Sequence, residues 1–169
     1  RDYVTAFLVG GALAFMMHSS VAAILMCVTL VQIEAISFGA GVSLVLGANF
    51  GSAFIPVWLT RGMDLSARRI VFANLALRGT GAIVALFAVN LALNAGLLGA
   101  DHGGQMLVNA HIAFNALLLL MALPFCNLLA APFMQLFPDN EETTDALLLS
   151  RPVTNLDPAN FGSPTQALS

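Results

Sequence analysis

Two apolar runs that are each too short to cross a membrane constrain this chain more than any other feature. They cover residues 4–17 and 21–31, and the polar residues His18, Ser19 and Ser20 separate them. A helix rises about 1.5 Å per residue, so either run reaches only half to two-thirds of the way across a hydrocarbon core about 30 Å thick. One helix over both runs would be longer than the core requires. The pattern predicts a re-entrant helical hairpin with the polar triplet at its tip.

The composition indicates that lipid, rather than water, is the main solvent. The 169 residues are 59% hydrophobic and 9% charged, whereas soluble domains carry about 25% charged residues. All six basic residues are arginines, and this sparse charge argues against nucleic acid as a partner. Irregular backbone at membrane depth must be buried in protein or line a wet cavity. We therefore expect an all-α integral membrane protein in which the hairpin tip faces a cavity.

A second element, over residues 38–60, is long enough to cross but contains the polar and small residues GANFGS at 47–52. Glycines permit non-helical torsions, and Asn49 and Ser52 offer partners for the amides that a break would free. We predict a broken helix at this segment. The alternative is a packing seam, in which small residues let a neighbouring helix approach closely; its members would be Gly41, Gly47 and Gly51.

Two further membrane-spanning helices are predicted at 67–93 and 105–137, the second with kinks at Pro124 and Pro132. The transmembrane part is thus residues 1–137, and residues 138–169 form a polar linker toward a soluble domain. Because cytoplasmic loops are enriched in arginine, the 61–69 loop and the tail with Arg151 are expected inside, and the loop with Asp101 outside. This predicts a multi-pass plasma-membrane protein with a cytoplasmic C-terminus, three crossings and a hairpin that enters from outside.

Polar residues within the spans are the candidates for function. Arg78 lies about 16 Å into its predicted helix, a depth at which a cation normally pairs or lines a cavity. Asn74 shares its helix face, and His111 and Asn115 share a face of the last span. Either these residues line a common polar interior or they form an ordinary interhelical hydrogen-bond network. An interfacial, snorkelling Arg78 is a further alternative.

The predicted hairpin tip suits an anion. The first amides of a helix lack internal partners, and its dipole places about half a positive charge there. Discontinuous membrane helices use their carbonyl-rich ends for Na⁺. Ser19 and Ser20 could instead only hydrogen-bond to the preceding turn and bend an ordinary helix.

Three motifs together resemble the type II sodium/phosphate cotransporter family over most of residues 3–137. His18, Ser19 and Ser20 resemble its Gln-Ser-Ser-Ser hairpin signature, and 47–52 resembles Gly-Ala-Asn-Ile-Gly-Thr. The segment NAHIAFN at 109–115 resembles Ala-x-x-His-x-x-Phe-Asn, in the same order and spacing. Bacterial members carry a PhoU-like domain after the membrane part, and the tail resembles its approach. The family has two inverted repeats, and this chain resembles the second.

The resemblance implies sodium-coupled symport of inorganic phosphate or a similar oxyanion across the bacterial inner membrane, with Na⁺ as coupling ion and no other cofactor. Expected partners are phosphate, Na⁺, the lipid bilayer, the first repeat of the same protein and a second copy in a homodimer. The expected substrate-binding residues are His18, Ser19, Ser20 and Asn49, together with Arg78, which is chosen for its depth in the predicted helix and not from the resemblance. The expected ion path comprises Ser20, Asn49, Gly51 and Ser52, with Na⁺ held by Ser20, Asn49 and Ser52. The expected polar lining is Asn74, His111 and Asn115.

The chain departs from the family signatures at three positions: His18 replaces Gln, Val21 replaces the third Ser, and Ala53 replaces a Thr. Two other functions are therefore considered. One is a non-transporting regulator in which the helices anchor a phosphate-sensing domain. The other is an intramembrane serine hydrolase using Ser19 or Ser20 with His18 or His111 as base, although no Gly-x-Ser-x-Gly elbow is present. We expect a carrier and not an enzyme.

Overall fold

The computed structural model describes residues 2–97 and 103–138. Asp101, His102 and the tail from 139 onward, including the predicted linker, lie outside the described residues. The described elements are all helical: α1 (Asp2–Met17), α2 (Ser20–Gln32), α3 (Phe38–Ser52), α4 (Phe54–Leu59), α5 (Leu65–Asn94), α6 (Gly104–Ala122), a 3₁₀ turn (Leu123–Phe125) and α7 (Cys126–Leu136).

The break between α1 and α2 lies at the polar triplet, as the sequence predicts. His18 has a φ of 51°, in the left-handed region, and ends α1. Ser19 is extended, with φ −152° and ψ 113°, and its hydroxyl accepts a hydrogen bond from the Ala22 amide at 3.2 Å. This cap satisfies one of the amides that have no partner inside α2. The polar residues therefore end one helix and begin the next.

Contacts along α3 show that α1 and α2 form a hairpin. In order along α3, they are Gly39 with Tyr3, Gly41 with Val31, Gly47 with Gly11, and Ala48 with Ala23. From the start to the end of α3, the contacting residues on α1 have rising residue numbers and those on α2 have falling ones. Helix α1 therefore runs parallel to α3, and α2 runs antiparallel to it. The two helices are thus antiparallel to each other, and this register brings their connecting tip level with the end of α3.

The second element is interrupted, but not where the sequence predicts. Residues 47–52 are helical, and α3 ends at Ser52; Ala53 separates it from α4. The break expected within 47–52 is therefore wrong in position by a few residues. Within 47–52, the glycines pack against α1, and Asn49 and Ser52 hydrogen-bond to backbone carbonyls of α3 itself. The segment stays helical.

Close packing on α1 accounts for the glycines of this segment. A Cβ added to Gly47 would lie 1.9 Å from the carbonyl oxygen of Phe7, and one on Gly51 would lie 2.0 Å from that of Gly11. On the other side, a Cβ on Gly10 would lie 2.1 Å from the Leu44 carbonyl oxygen. We call Gly10, Gly11, Gly47 and Gly51 the glycine seam. The packing alternative is confirmed for this segment, because the two backbones approach to a distance that only glycine allows.

The long helices α5 and α6 pack on the remaining sides of α3. Gly39 faces Leu93 and Gly79 faces Phe50, so α5 is antiparallel to α3. α6 starts beside α2, where Gly104 faces Val28 and Gln32.

The two prolines of the last predicted span differ in their effect. The kink predicted at Pro124 is a 3₁₀ turn between α6 and α7, whereas α7 continues through Pro132.

The described residues form an all-α membrane protein centred on α3. Three helical stretches are long and apolar enough to cross a bilayer, namely Phe38–Leu59, Leu65–Asn94 and Gly104–Leu128. Residues 41–49 of α3 are all buried. The outer surfaces of α5 and α6 instead expose large apolar side chains, among them Ile83, Phe87, Leu91, Leu117 and Leu120. Such surfaces suit contact with lipid rather than with water.

Candidate functional site

A buried asparagine lies at the centre of the bundle. Asn49 of α3 has 0% of its surface exposed. Its side-chain nitrogen Nδ2 donates to the Val45 carbonyl at 3.0 Å. Its oxygen Oδ1 accepts from side chains of two other helices, α5 and α6. A buried amide in a membrane protein is costly unless hydrogen-bonded, and this one connects three helices.

The residue on α5 is Arg78, which lies near the middle of a 30-residue helix. At 1.5 Å per residue it is about 20 Å from one end and about 24 Å from the other, too deep for the side chain to snorkel easily. Its Nη2 donates to Asn115 Oδ1 at 2.5 Å and to Asn49 Oδ1 at 3.4 Å. The side chain is half-buried. Arg78 therefore points into the bundle.

Asn115 of α6 completes this arrangement. Its Nδ2 donates to Asn49 Oδ1 at 3.1 Å and to the His111 carbonyl at 2.8 Å. The same nitrogen lies 3.3 and 3.4 Å from the two ring nitrogens of His111. We call Asn49, Arg78 and Asn115 the polar junction, with His111 beside it. The structure thus brings together four of the residues that the sequence singled out, one from α3, one from α5 and two from α6.

The electrostatics of the junction are unbalanced. Arg78 is the one charged side chain in the middle of a helix anywhere in residues 2–97 and 103–138. The acidic residues of that part, Asp2, Glu34 and Asp64, belong to helix ends or loops. The acceptors that Arg78 contacts are neutral amide oxygens. A cation at this depth usually has a counter-charge or a cavity, so an anion would complete its environment.

The hairpin-tip candidates are placed differently. His18 is exposed, its Nδ1 lies 3.2 Å from the Met16 carbonyl, and its ring stacks on Phe15 at 6.1 Å. Ser19 caps α2, and Ser20 is the half-buried first residue of that helix. Within the described residues, none of the three forms a hydrogen bond with the polar junction, and no serine hydroxyl is hydrogen-bonded to a histidine ring.

The predicted ion path also has a defined geometry. The Ser52 hydroxyl donates to the Asn49 carbonyl at 3.0 Å, and Gly51 faces α1 in the glycine seam. No group of three or more His, Cys, Asp or Glu that could hold a metal occurs in the described part of the chain. Na⁺ takes oxygen ligands, which hydroxyl and carbonyl groups can supply. Na⁺ ligation by Ser20, Asn49 and Ser52 stays a prediction.

The polar face of α5 extends beyond the residues that the sequence singled out. Asn74, one turn before Arg78, is half-buried and takes no part in the junction's hydrogen bonds. Asn90 was not predicted; its Nδ2 donates to the Leu86 carbonyl at 2.8 Å, and its Oδ1 is buried with no hydrogen-bond partner among the described residues. Positions 74, 78, 82, 86 and 90 are spaced by four. That spacing was the available signal, because such residues share one helix face.

Comparison with known proteins identifies relatives named for phosphate. The chain is 30% identical over 169 residues to the "Putative inorganic phosphate export protein YjbB" of Escherichia coli (strain K12), covering 99% of this chain and 30% of the relative. It is 28% identical over 168 residues to the protein of that name from Salmonella typhimurium, again 30% of its length. The chain thus spans about a third of these relatives. No family model and no solved structure matches.

Proposed function

We propose that this chain is part of a membrane carrier for inorganic phosphate or a similar small oxyanion, and that the polar junction is where the anion binds. The observation that carries the proposal is the position of Arg78 in mid-helix, with neutral partners alone among the described residues. Similarity to proteins named for phosphate export supports the choice of anion. The type II sodium/phosphate family remains a resemblance of motifs.

Arg78 has hydrogen-bond donors available for such an anion. Both amide acceptors are contacted by Nη2, and in the described part of the chain Nη1 and Nε have no hydrogen bond. A guanidinium is planar and permanently charged, and it pairs with phosphate oxygens through two parallel N–H groups. Nη1 and Nε carry three of its five N–H donors. The anion would therefore bind on the side of Arg78 that the asparagines leave open.

Sodium coupling is the finer part of this proposal. Na⁺ is a hard cation that takes oxygen ligands, and the carbonyl-rich end of α3 near Ser52 and the hairpin tip at Ser20 offer such oxygens. A bound Na⁺ would add positive charge to the site and favour the anion. Symport driven by an inward Na⁺ gradient would carry phosphate inward, whereas the relatives are named for phosphate export. The Na⁺ and phosphate gradients across the membrane determine the direction in which a carrier moves phosphate.

Flux measurements in liposomes test the proposal. We expect the full-length protein to move radiolabelled phosphate across proteoliposome membranes, faster when a Na⁺ gradient runs in the same direction. Arg78→Gln should reduce the flux by about 10- to 100-fold, because a charged hydrogen bond contributes about 1.5–3 kcal/mol. Arg61→Gln is the matched control, since Arg61 is exposed and stacks on Trp58 at 4.1 Å.

The outcomes separate the parts of the proposal. Absence of phosphate flux in the folded wild-type protein would refute transport and favour a membrane-anchored regulator. Equal flux in wild type and Arg78→Gln would remove the polar junction as the anion site. Flux that is the same with Na⁺ and with choline would remove sodium coupling alone. Thermal unfolding in detergent checks that each variant is folded.

A further inference from the structure

The donor-only chemistry of arginine determines how the amides of the junction are oriented. A guanidinium cannot accept a hydrogen bond, so the side-chain atoms of Asn49 and Asn115 that face it must be oxygens. The nitrogen of Asn115 is then directed at Asn49 Oδ1, 3.1 Å away. Asn49 Oδ1 therefore receives two donors, one from Arg78 and one from Asn115. The Nδ2 of Asn49 donates to the Val45 carbonyl oxygen.

This arrangement leaves Asn49 little capacity to bind an ion or a substrate directly. An amide oxygen has two lone-pair sites, and both are occupied by protein donors. The backbone carbonyl of the same residue accepts from the Ser52 hydroxyl at 3.0 Å. The side chain is also fully buried. A Na⁺ ion would have to displace Arg78 or Asn115 to reach Oδ1.

Asn49 is, in addition, held in place from the opposite side of α3. Successive helical residues are rotated by about 100°, so a residue two positions from Gly47 and two from Gly51 points about 200° away from them. Those glycines pack against the α1 backbone with no space for a Cβ. The glycine seam therefore fixes one face of α3, and Asn49 projects from the other.

We infer that Asn49 is a positioning residue for Arg78 rather than a ligand of Na⁺ or of the anion. It holds Nη2 so that Nη1 and Nε stay open for the anion. This inference rests on the proposed function, and it deepens it by assigning the two residues different roles. It also replaces the role in Na⁺ binding that the motif resemblance implies for Asn49.

Asn49→Asp distinguishes the two roles in a transport assay. If residue 49 positions Arg78, the introduced carboxylate would pair with the guanidinium and cancel its charge. The KM for phosphate should then rise about tenfold or more, while the Na⁺ concentration for half-maximal rate is unchanged. If residue 49 is instead a Na⁺ ligand, a carboxylate would bind the hard cation more strongly than an amide does. Half-saturation at lower Na⁺, with the phosphate KM unchanged, would overturn the inference.

A stability measurement tests the same contact without transport. Thermal unfolding is compared for wild type, Asn49→Asp, Arg78→Met and the double variant of the full-length protein. We expect the double variant to lose much more stability than the sum of the single changes, because the introduced carboxylate is then buried without its partner. Additive changes would overturn the inference. If the wild-type protein carries no phosphate, the proposed function fails, while this cycle still decides the Asn49–Arg78 contact.

Discussion

The two faces of α3 differ in what they contact and in the kind of residue that they use. On one face, Gly47 and Gly51 pack directly on the α1 backbone. On the other, Asn49 is hydrogen-bonded to Arg78 and Asn115 from two further helices. The first contact is made by backbone atoms and the second by polar side chains. Both are buried in the same few turns of helix.

This difference separates residues that maintain the fold from residues available for chemistry. Close backbone packing in a membrane increases van der Waals contact, and its loss reduces stability. A buried arginine with neutral partners contributes little to stability, because removing its charge from water costs as much as its contacts return. Substitutions on the two faces should therefore have opposite signatures in stability and in transport.

The largest effect is expected for Gly47→Leu in the glycine seam. The new side chain would overlap the carbonyl group of Phe7, and α1 and α3 would have to separate at a cost of about 3 kcal/mol or more. We expect little folded, monodisperse protein by size-exclusion chromatography in detergent. Gly62→Ala is the control, since no atom lies within 4 Å of its added Cβ. Equal behaviour of the two variants would contradict the seam.

Arg78→Met should have the next largest effect, and mainly on transport. Met has a similar length but no charge, so phosphate flux should fall about 10- to 100-fold. The free energy of unfolding should fall by no more than about 1–3 kcal/mol, because Asn115 Oδ1 loses its donor while the desolvation cost of the charge is removed. Thermal unfolding and flux are measured on the same preparation. A large destabilisation would show that Arg78 is structural, and the contrast between the two faces would disappear.

Asn115→Leu should affect both stability and transport to an intermediate degree. It removes an acceptor from Arg78 and a donor from Asn49, and a buried polar group left without a partner costs about 1–3 kcal/mol. We expect a lower melting temperature together with a higher KM for phosphate. Asn109→Leu serves as a control on the same helix, because Asn109 is exposed and is hydrogen-bonded only to Gln105 among the described residues.

The smallest effect is expected for Ser19→Ala at the hairpin tip. It removes the α2 cap on the Ala22 amide, which should cost about 1 kcal/mol, and Ser19→Gly should cost only a few tenths. Ser37→Ala is matched to it, because Ser37 caps α3 through the Ala40 amide. If Ser19→Ala reduces phosphate flux more than Ser37→Ala at equal loss of stability, the tip contributes to transport as well as to capping.

The sequence predicts much of the fold because lipid imposes simple length rules. The short runs around His18, Ser19 and Ser20 predict the hairpin, and the α5 span agrees with the prediction within two residues at each end. The break of the second element is misplaced, because glycines that favour a break and glycines that favour close packing look alike until the α1 backbone is placed beside them. Tertiary contacts decide between the two.

The site is predicted less completely than the fold. Spacing places Arg78 on an interior face and pairs His111 with Asn115, but it cannot show that Asn49 of a distant segment joins them. Nor does it show that both lone pairs of that amide are already used. The sequence does not single out Asn90, because a lone asparagine near a helix end is common. Only its spacing of four residues from the preceding positions places it on the same face of α5 as Arg78.

The hairpin also determines on which sides of the membrane the described part begins and ends. Tyr3 lies beside Gly39, and Gln32 lies beside Gly104, so both open ends of the hairpin are at one end of the bundle. The hairpin thus returns to the side from which it enters and adds no net crossing. The part of the chain that the structure describes has three other spans. Because three is an odd number, its two ends lie on opposite sides of the membrane. Membrane-impermeant reagents should therefore label single cysteines introduced at Tyr3 and at Pro138 from opposite compartments.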